Sequence, residues 1–484
     1  MNDSSKTTAH DPADNPADHS ADRTFKAAVI GAGSGGLTLA IGLSGFGQEV
    51  ALIEAGRVGG DCTNVGCIPS KALLHAAAAG VDDPFRYVRE KRDELSDTED
   101  EEMVDHATIQ LVRGWARLTD RREPHVVEVT AMDGTVTEVR AENVIVCAGS
   151  RPVEFPIDGL DPDRLLTNEN LFELTEVPAK ILLIGGGPIS LEMATAFRDL
   201  GSEVAVVELL DRVISTEDPL VSSTIEAALR ERGVEVFTGT SIERFSGTTA
   251  HLGDGSTIAE VDQVLLAVGR RPKLTDLGLE VASVDHTTRG ITADTFGRTN
   301  VDGIYAVGDV TGNTLTTHGA NSIGRRAIRA IALPYLPKLG RPRALPNAVF
   351  CRPEIASVGM SVDEVDALPQ AGRRRYTVQI ADIDRGYTDD VEHGVVIVDA
   401  ERFTGKILRA AIVGPSAAEI IGIFTFAIDH GIGLRKMFGT VYPYPAYAQV
   451  VGQISDDFIR DTMAAVPTEW WGMMRGRVGR RLRR

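Results

Sequence analysis

From Thr24 onward, short apolar runs alternate with amphipathic stretches, the pattern of strands and helices taking turns. A strand is expected over Ala27 to Ile30, then a glycine turn and a helix, then a second strand over Val50 to Ile53. Ala72 to Ala79 reads as helix. Between Leu111 and Val146 short strand-like runs are punctuated by Asp133-Gly134, a hairpin signal. Val144 to Gly149 reads as a buried strand entering a turn, and Pro152 and Pro156 beyond it mark a domain crossing. Further apolar strands are expected at Val264 to Gly269 and Gly303 to Val307. From Pro346 the texture changes. Half-buried strands follow at Ala348 to Phe350, Ala356 to Gly359, Gly394 to Val398 and Lys406 to Val413. Helices are expected at Ala417 to His430 and near Tyr447 to Ile459, completing a separate α+β domain. Residues 1–23 are polar, lack an apolar period and read as a disordered tail. The eight acids between Asp93 and Asp105 read as a solvated helix face or loop.

One strand–turn–helix–strand unit occurs twice. Val29 to Glu54 and Leu183 to Glu208 align without a gap over 26 residues and end in the same acid. In the first, Gly31 permits a tight turn, Gly33 lets a pyrophosphate approach the backbone, and Gly36 lets helix and strand pack closely. The helix N-terminus then receives phosphates. Glu54, 23 residues after Gly31, is placed for a ribose hydroxyl. In the second unit Gly185 and Gly187 repeat the first two glycines, Ser190 takes the third position with slightly looser packing, and Glu208 repeats the acid. Two such units imply two dinucleotides and an α/β fold with two Rossmann-like domains.

Composition narrows the function classes. Apolar content of 43% and aromatic content of 5% are ordinary for an α/β protein, and 484 residues make several domains. No run of 18 apolar residues occurs, so no membrane-spanning helix is expected. The N-terminus lacks an apolar secretory core, which makes the cytoplasm the expected location. A net charge of −19 argues against nucleic acid. Four cysteines exclude a disulfide scaffold. Two of them, Cys62 and Cys67, lie in Gly59-Gly60-Asp61-Cys62-Thr63-Asn64-Val65-Gly66-Cys67-Ile68-Pro69-Ser70-Lys71. Helical sequence follows, so Cys67 falls at or just before a helix N-terminus, where backbone N–H groups favour a thiolate. A dithiol so placed can attack, form a mixed disulfide and close again. The alternatives are an inert disulfide or two buried thiols. Cys147 reads as a core thiol. No metal site is expected, and His10 and His19 read as solvated.

GAGSGG, GGDCTNVGCIPSK, CAGSRP, GGGPISLE, AVGRRP, YAVGD and FCRPEIASVG occur in the order found in the FAD-dependent pyridine nucleotide-disulfide oxidoreductases of class I, the family of dihydrolipoyl dehydrogenase, glutathione reductase and mercuric reductase. The chain resembles that family over about residues 25–465. The resemblance implies a homodimer that carries FAD and NAD(P)H and ends in an α+β dimerisation domain. It implies an FAD-binding domain from residues 24–155 and 273–343, an NAD(P)-binding domain over 156–272 and an interface domain over 344–466, with a basic tail over 467–484. Hydride would pass from NAD(P)H through flavin to the Cys62–Cys67 disulfide and on to a small-molecule acceptor. Cys67 would lie against the flavin and Cys62 would meet substrate. Lys71 and Glu192 would be the ion pair beside the flavin. Glu54 would hold the FAD ribose, Asp309 the ribityl chain, and Thr317 and His318 the flavin edge. Gly149 and Gly269 join the cofactor-binding set through their motifs. Glu208 would hold the NAD ribose and repel a 2′-phosphate, which favours NADH.

Three departures stand out. Asp61 replaces a common threonine. The family's His–Glu base is replaced by Tyr444 and Gln449. Tyrosine there resembles mercuric reductase, yet the C-terminal cysteine pair of that enzyme is missing. Dihydrolipoyl dehydrogenase or mercuric reductase proper therefore stand as alternatives to a reductase of another small acceptor. A third alternative is a membrane-docked electron carrier using a quinone or protein acceptor. The tail from Thr468, with Trp470, Trp471 and six arginines, could make weak contact with anionic lipid.

Overall fold

The computed structural model describes residues 23–313, 315–335 and 344–464. The disordered-tail, His10, His19 and basic-tail expectations therefore lie outside the described residues. The chain forms two compact units. Of the described residues, the first takes 23–62, 95–151, 271–313 and 315–335, and the second takes 63–94, 152–270 and 344–464.

The first unit is built on a seven-stranded sheet. Strands Ile109–Arg113, Val50–Glu54, Thr24–Ile30 and Val136–Val146 run parallel in that order, and Ile304–Ala306 pairs in parallel with the last of them. Val136–Val146 is long enough to serve two partners. Its whole length pairs in parallel or antiparallel fashion, with Thr24–Ile30 on one side and His125–Thr130 on the other. The latter pairing includes Thr130 opposite Val136, closed by the Asp133-Gly134 turn. The strands from Thr24, Val50 and Val136 bury Val29, Leu52 and Ile145 under the helices Ser34–Ser44 and Thr317–Ala332. Alternate residues such as Ala28, Ile53 and Val144 fill the core on the other face. This two-sided burial explains why these strands read as continuous apolar runs.

The second unit repeats the plan. Val234–Thr238, Glu203–Glu208, Lys180–Ile184, Gln263–Leu266 and Leu165–Leu166 form a five-stranded parallel sheet. Helix Pro188–Asp199 makes the crossover from Lys180–Ile184 to Glu203–Glu208, and helix Pro219–Glu231 the next one, to Val234–Thr238. The C-terminal segment is a five-stranded antiparallel sheet in the order Asn347–Val349, Ile355–Gly359, Ile407–Val413, Val395–Glu401, Arg373–Gln379. Helix Ala417–Asp429 and a helix over 449–464 cover it through Phe424, Val450, Ile454 and Phe458. The acidic stretch belongs to a 21-residue helix, Pro84–Val104. Glu94, Asp97, Glu101 and Glu102 are exposed, whereas Asp93, Glu99 and Asp100 are half-buried; Asp97 meets Arg57 at 3.2 Å, and Asp100 meets Arg113.

Candidate functional site

The two glycine turns have nearly the same backbone. Gly31 and Gly185 take φ of 100° and 103°, and a side chain at either would meet a carbonyl oxygen at 2.5 or 2.6 Å. The residues before the two helices, Gly33 and Gly187, have φ/ψ of −80°/−174° and −84°/−177°. A Cβ on Gly36 would lie 1.9 Å from the Gly31 carbonyl oxygen, so that position admits only glycine. Ser190 stands at the equivalent place in the second turn and is fully buried. The first helical hydrogen bond there is 3.1 Å, against 2.8 Å in the first turn. Both terminal acids reach back into their own turns. Glu54 accepts from the Ala32 N–H at 2.6 Å and the Gly56 N–H at 2.7 Å. Glu208 accepts from the Gly186 N–H and from the Leu210 N–H at 2.7 Å.

Gly59 and Gly60 lead into the cysteine stretch and lie directly on the first turn. The Gly59 N–H donates to the Ala32 carbonyl at 2.9 Å, and a Cβ on Gly60 would sit 2.6 Å from the Gly33 Cα. Asp61 carries its charge beside this turn and faces Lys273 at 3.8 Å. In the same unit Asp309 accepts from the Ser150 hydroxyl at 2.6 Å. Thr317 and His318 begin the helix Thr317–Ala332, which Thr316 caps by accepting from the Gly319 N–H. Gly149 and Gly269 both take positive φ, each three residues beyond a strand, Val136–Val146 and Gln263–Leu266.

Cys62 is half-buried in the short helix Gly60–Asn64. Cys67 is exposed and is the first residue of helix Cys67–Ala79, with Gly66 before it. The helix thus starts five residues ahead of the alanine-rich run that signals it in the sequence. Lys71 follows one turn after Cys67. Its ammonium donates to both Glu192 oxygens, at 2.8 and 2.9 Å, and lies 4.5 Å from the centre of the Phe350 ring. Glu192 is 7% exposed and also accepts from the Phe350 N–H at 3.0 Å. A buried carboxylate is tolerable only with such partners. Arg352 fastens the same three segments. Its guanidinium donates to Asp199 at 2.9 Å and to the Leu74 carbonyl of the cysteine helix at 3.1 Å, and its N–H donates to the Thr195 hydroxyl. In the sequence Phe350 and Arg352 are signalled only by the FCRPEIASVG stretch, and nothing marks Thr195 or Asp199.

Replacing Glu192 with alanine leaves the Lys71 ammonium and the Phe350 N–H without this acceptor. Lys71 reaches water, its side chain being 37% exposed, so the loss is smaller than for a fully buried pair. About 1–3 kcal/mol of destabilisation is expected. A fall in the urea midpoint, partly restored in Lys71→Met/Glu192→Leu, checks it.

The other two cysteines lie close to the site but are closed off from solvent: Cys351 stands between Phe350 and Arg352, and the Cys147 carbonyl lies against the Gly31 turn. Cys147 and Cys351 are buried, and burial pushes both thiols well above their ordinary range. Cys147 is the core thiol its apolar strand implied. Tyr444 is 72% exposed, and a hydrogen bond to the Asp384 carboxylate raises its phenol above 10. Gln449 does not serve it: the Gln449 amide oxygen accepts from the Ala446 N–H at 3.5 Å, at the start of its own helix. Tyr447 is anchored separately, donating to Asp389 at 2.6 Å.

Residues 25–330 match the family model of the pyridine nucleotide-disulphide oxidoreductases, and residues 345–454 match that family's dimerisation domain. The chain belongs to this family. It is 30% identical over 462 residues to dihydrolipoyl dehydrogenase 3 of Haloarcula marismortui, covering 87% of this chain and 94% of that one. It is 32% identical over 464 residues to mercuric reductase of Streptomyces lividans, covering 90% and 97%. Among solved structures it is similar to the HOCl-induced flavoprotein disulfide reductase RclA of Escherichia coli, in its Cu(II) complex, with a TM-score of 0.81 and 26% identity over 90% of this chain and 99% of that one.

As a pyridine nucleotide-disulphide oxidoreductase, the protein is an NAD(P)H-dependent flavoprotein that uses FAD. Its dimerisation domain supports a homodimer. The two glycine turns fit two dinucleotides. Among the described residues nothing lies within 4 Å of where a Cβ on Gly187 would be and only Gly60 approaches Gly33, which suits both helix starts to a phosphate. Among the described residues no helix is long and apolar enough to cross a membrane.

Proposed function

We propose that the protein uses NADH, bound FAD and the Cys62–Cys67 pair to reduce a small acceptor, with Tyr444 and Gln449 in place of the family's acid–base pair. In this reading residues 24–155 and 273–343 hold FAD, 156–272 hold the coenzyme, and 344–466 form the interface. The flavin supplies the relay of reducing equivalents between nicotinamide and dithiol. Glu54 and Asp309 hold hydroxyls of its ribose and ribityl chain, and Gly149, Thr317 and His318 line its binding region. Gly185, Gly187, Glu208 and Gly269 hold the coenzyme. Cys67, at the start of its helix, carries the thiolate, and Cys62 exchanges with the acceptor. Lys71, fixed by Glu192 and Phe350, keeps a positive charge one turn from Cys67.

The observation that carries this reading is the Lys71–Glu192 pair built one turn behind an exposed helix-leading cysteine. A purely structural cysteine pair has no need of it. The acceptor is constrained by Tyr444. Its phenol, raised by the Asp384 carboxylate, is a poor base for taking the proton of a thiol, so oxidation of a dithiol, and by microscopic reversibility reduction of its disulfide, lacks this help. This argues against the dihydrolipoamide/lipoamide couple. A turnover screen over lipoamide, low-molecular-weight disulfides, Hg(II), Cu(II) and quinones tests it. Rates highest on lipoamide would overturn it.

Glu208 sets the coenzyme. Its carboxylate is held by two backbone N–H groups at the place where a 2′-phosphate would bring like charge. NADH is expected to have the higher kcat/KM, and Glu208→Arg to narrow or invert the preference. Equal kcat/KM for the two coenzymes in the unmodified protein contradicts this role.

A further inference from the structure

The stretch from Leu209 to Asp218, between Glu208 and helix Pro219–Glu231, is not an ordinary surface connection. Ile214 has φ of 47°, a left-handed conformation that β-branched residues rarely adopt. Its surroundings hold it there. Its N–H donates to the Gly186 carbonyl at 2.9 Å, and its carbonyl accepts from the Glu217 N–H at 2.9 Å and from the Ser222 hydroxyl at 3.4 Å. Gly186 is also the residue whose N–H donates to Glu208. Glycine turn, terminal acid and strained residue are therefore one hydrogen-bonded unit.

The far end of the stretch is buried against the C-terminal antiparallel sheet. Glu217 and Asp218 are 8% and 3% exposed. Glu217 accepts from the guanidinium of Arg409, itself buried, and from the Ser357 hydroxyl at 2.6 Å. Arg409 also donates to the Met360 carbonyl. Asp218 pairs with Arg375 at 2.7 Å and caps the helix by accepting from the Leu220 N–H at 2.9 Å. Arg375 is gripped in turn by both oxygens of the fully buried Asp399, at 2.9 Å each. Two charged anchors at one end of a ten-residue stretch exceed what capping a helix requires, because each buried charge depends on its partner.

We infer that Glu217–Arg409 and Asp218–Arg375 are positioning residues for coenzyme selection. By fastening this stretch to the C-terminal sheet they hold Ile214 in its strained conformation, and through Gly186 they hold Glu208 where it discriminates against a 2′-phosphate. The inference rests on the reading of Glu208 as the coenzyme ribose ligand. Arg212 gives the anchors a second effect. It is the first basic residue after Glu208, and it is tied within the stretch, to the Ser215 carbonyl at 2.9 Å and to Asp211 at 3.4 Å. Release of the anchors frees this guanidinium to meet a phosphate.

The test uses the FAD-loaded full chain and measures equilibrium dissociation constants for NAD+ and NADP+ by calorimetry. Glu217→Gln/Arg409→Met removes one anchor without leaving a lone buried charge. It is expected to weaken NAD+ about five- to twentyfold while leaving NADP+ within about threefold, so that the ratio narrows. Arg409→Lys, which keeps the charge, is expected to preserve most of the NAD+ affinity. A merely structural role predicts a lower Tm with an unchanged ratio, and that result overturns the inference. Glu208→Gln, measured in parallel, separates the two levels. If it alters NAD+ affinity and the double variant does not, the anchors are not positioning residues. If Glu208→Gln has no effect, the reading of Glu208 falls and the inference falls with it.

Discussion

Cys67→Ser is expected to lower NADH-dependent turnover at least about a thousandfold, because the residues of a catalytic unit are not replaceable by their neighbours. Cys67 leads the helix Cys67–Ala79, where the helix dipole contributes roughly 0.3–1 kcal/mol to a negative charge. A serine there offers a hydroxyl that neither ionises near neutrality nor closes a disulfide. Cys62→Ser is expected to be equally inactive but spectroscopically different. It leaves the Cys67 thiolate in place, and a long-wavelength absorption band from thiolate against oxidised flavin should appear without reductant. Cys67→Ser should lack that band under all conditions. Cys147→Ala is the control. That thiol is buried and held protonated, so turnover should stay within about twofold of the unmodified rate. Wild-type rates in Cys67→Ser would remove the dithiol from the reaction.

Tyr444→His with Gln449→Glu is expected to raise dihydrolipoamide oxidation at least tenfold, against a ceiling of about a hundred- to ten-thousandfold for general acid–base help. In the proposed reading the native pair does not supply it. Asp384 raises the Tyr444 phenol, which makes this group a poorer base than an imidazole near neutral pH. Gln449 carries no charge and is turned to the Ala446 N–H. The sign of the pH dependence follows. Native turnover of a thiol substrate should show no activation from Tyr444 near neutral pH. The histidine variant should gain an alkaline-side activation with a midpoint near pKa ~6.5, where a neutral imidazole becomes available. Native dihydrolipoamide turnover of hundreds per second near pH 7 would show that the missing base does not matter.

The parts of this site that were legible in the sequence are those with a local steric cause. Gly31, Gly36 and Gly185 stand where a Cβ would strike backbone, so their spacing records the turn itself. The Asp133-Gly134 hairpin and the two-sided apolar strands are local in the same sense. Cys67 was placed at a helix start from the run that follows it, though the helix extends further towards the N-terminus than that run. What stayed hidden are partnerships between distant segments. Lys71 and Glu192 could be paired only through the family resemblance, and nothing marked Arg352 as the group that ties Asp199 to the cysteine helix. Asp384 lies 60 residues from Tyr444 in the chain. The Glu217–Arg409 contact spans 192 residues. An acidic run such as 93–105 is ambiguous for a related reason. Its helix is supported by Arg57 and Arg113, which belong to other elements.

The most direct test of the central claim is a count of thiols in the Cys62–Cys67 peptide. The purified holoprotein is treated anaerobically with NADH or buffer, denatured in iodoacetamide, digested and weighed by mass spectrometry. If these cysteines are the couple that NADH reduces, the peptide carries no alkyl group without NADH and two after it, while Cys147 and Cys351 are alkylated in both samples. The same labelling of Cys62 and Cys67 with and without NADH would contradict the account.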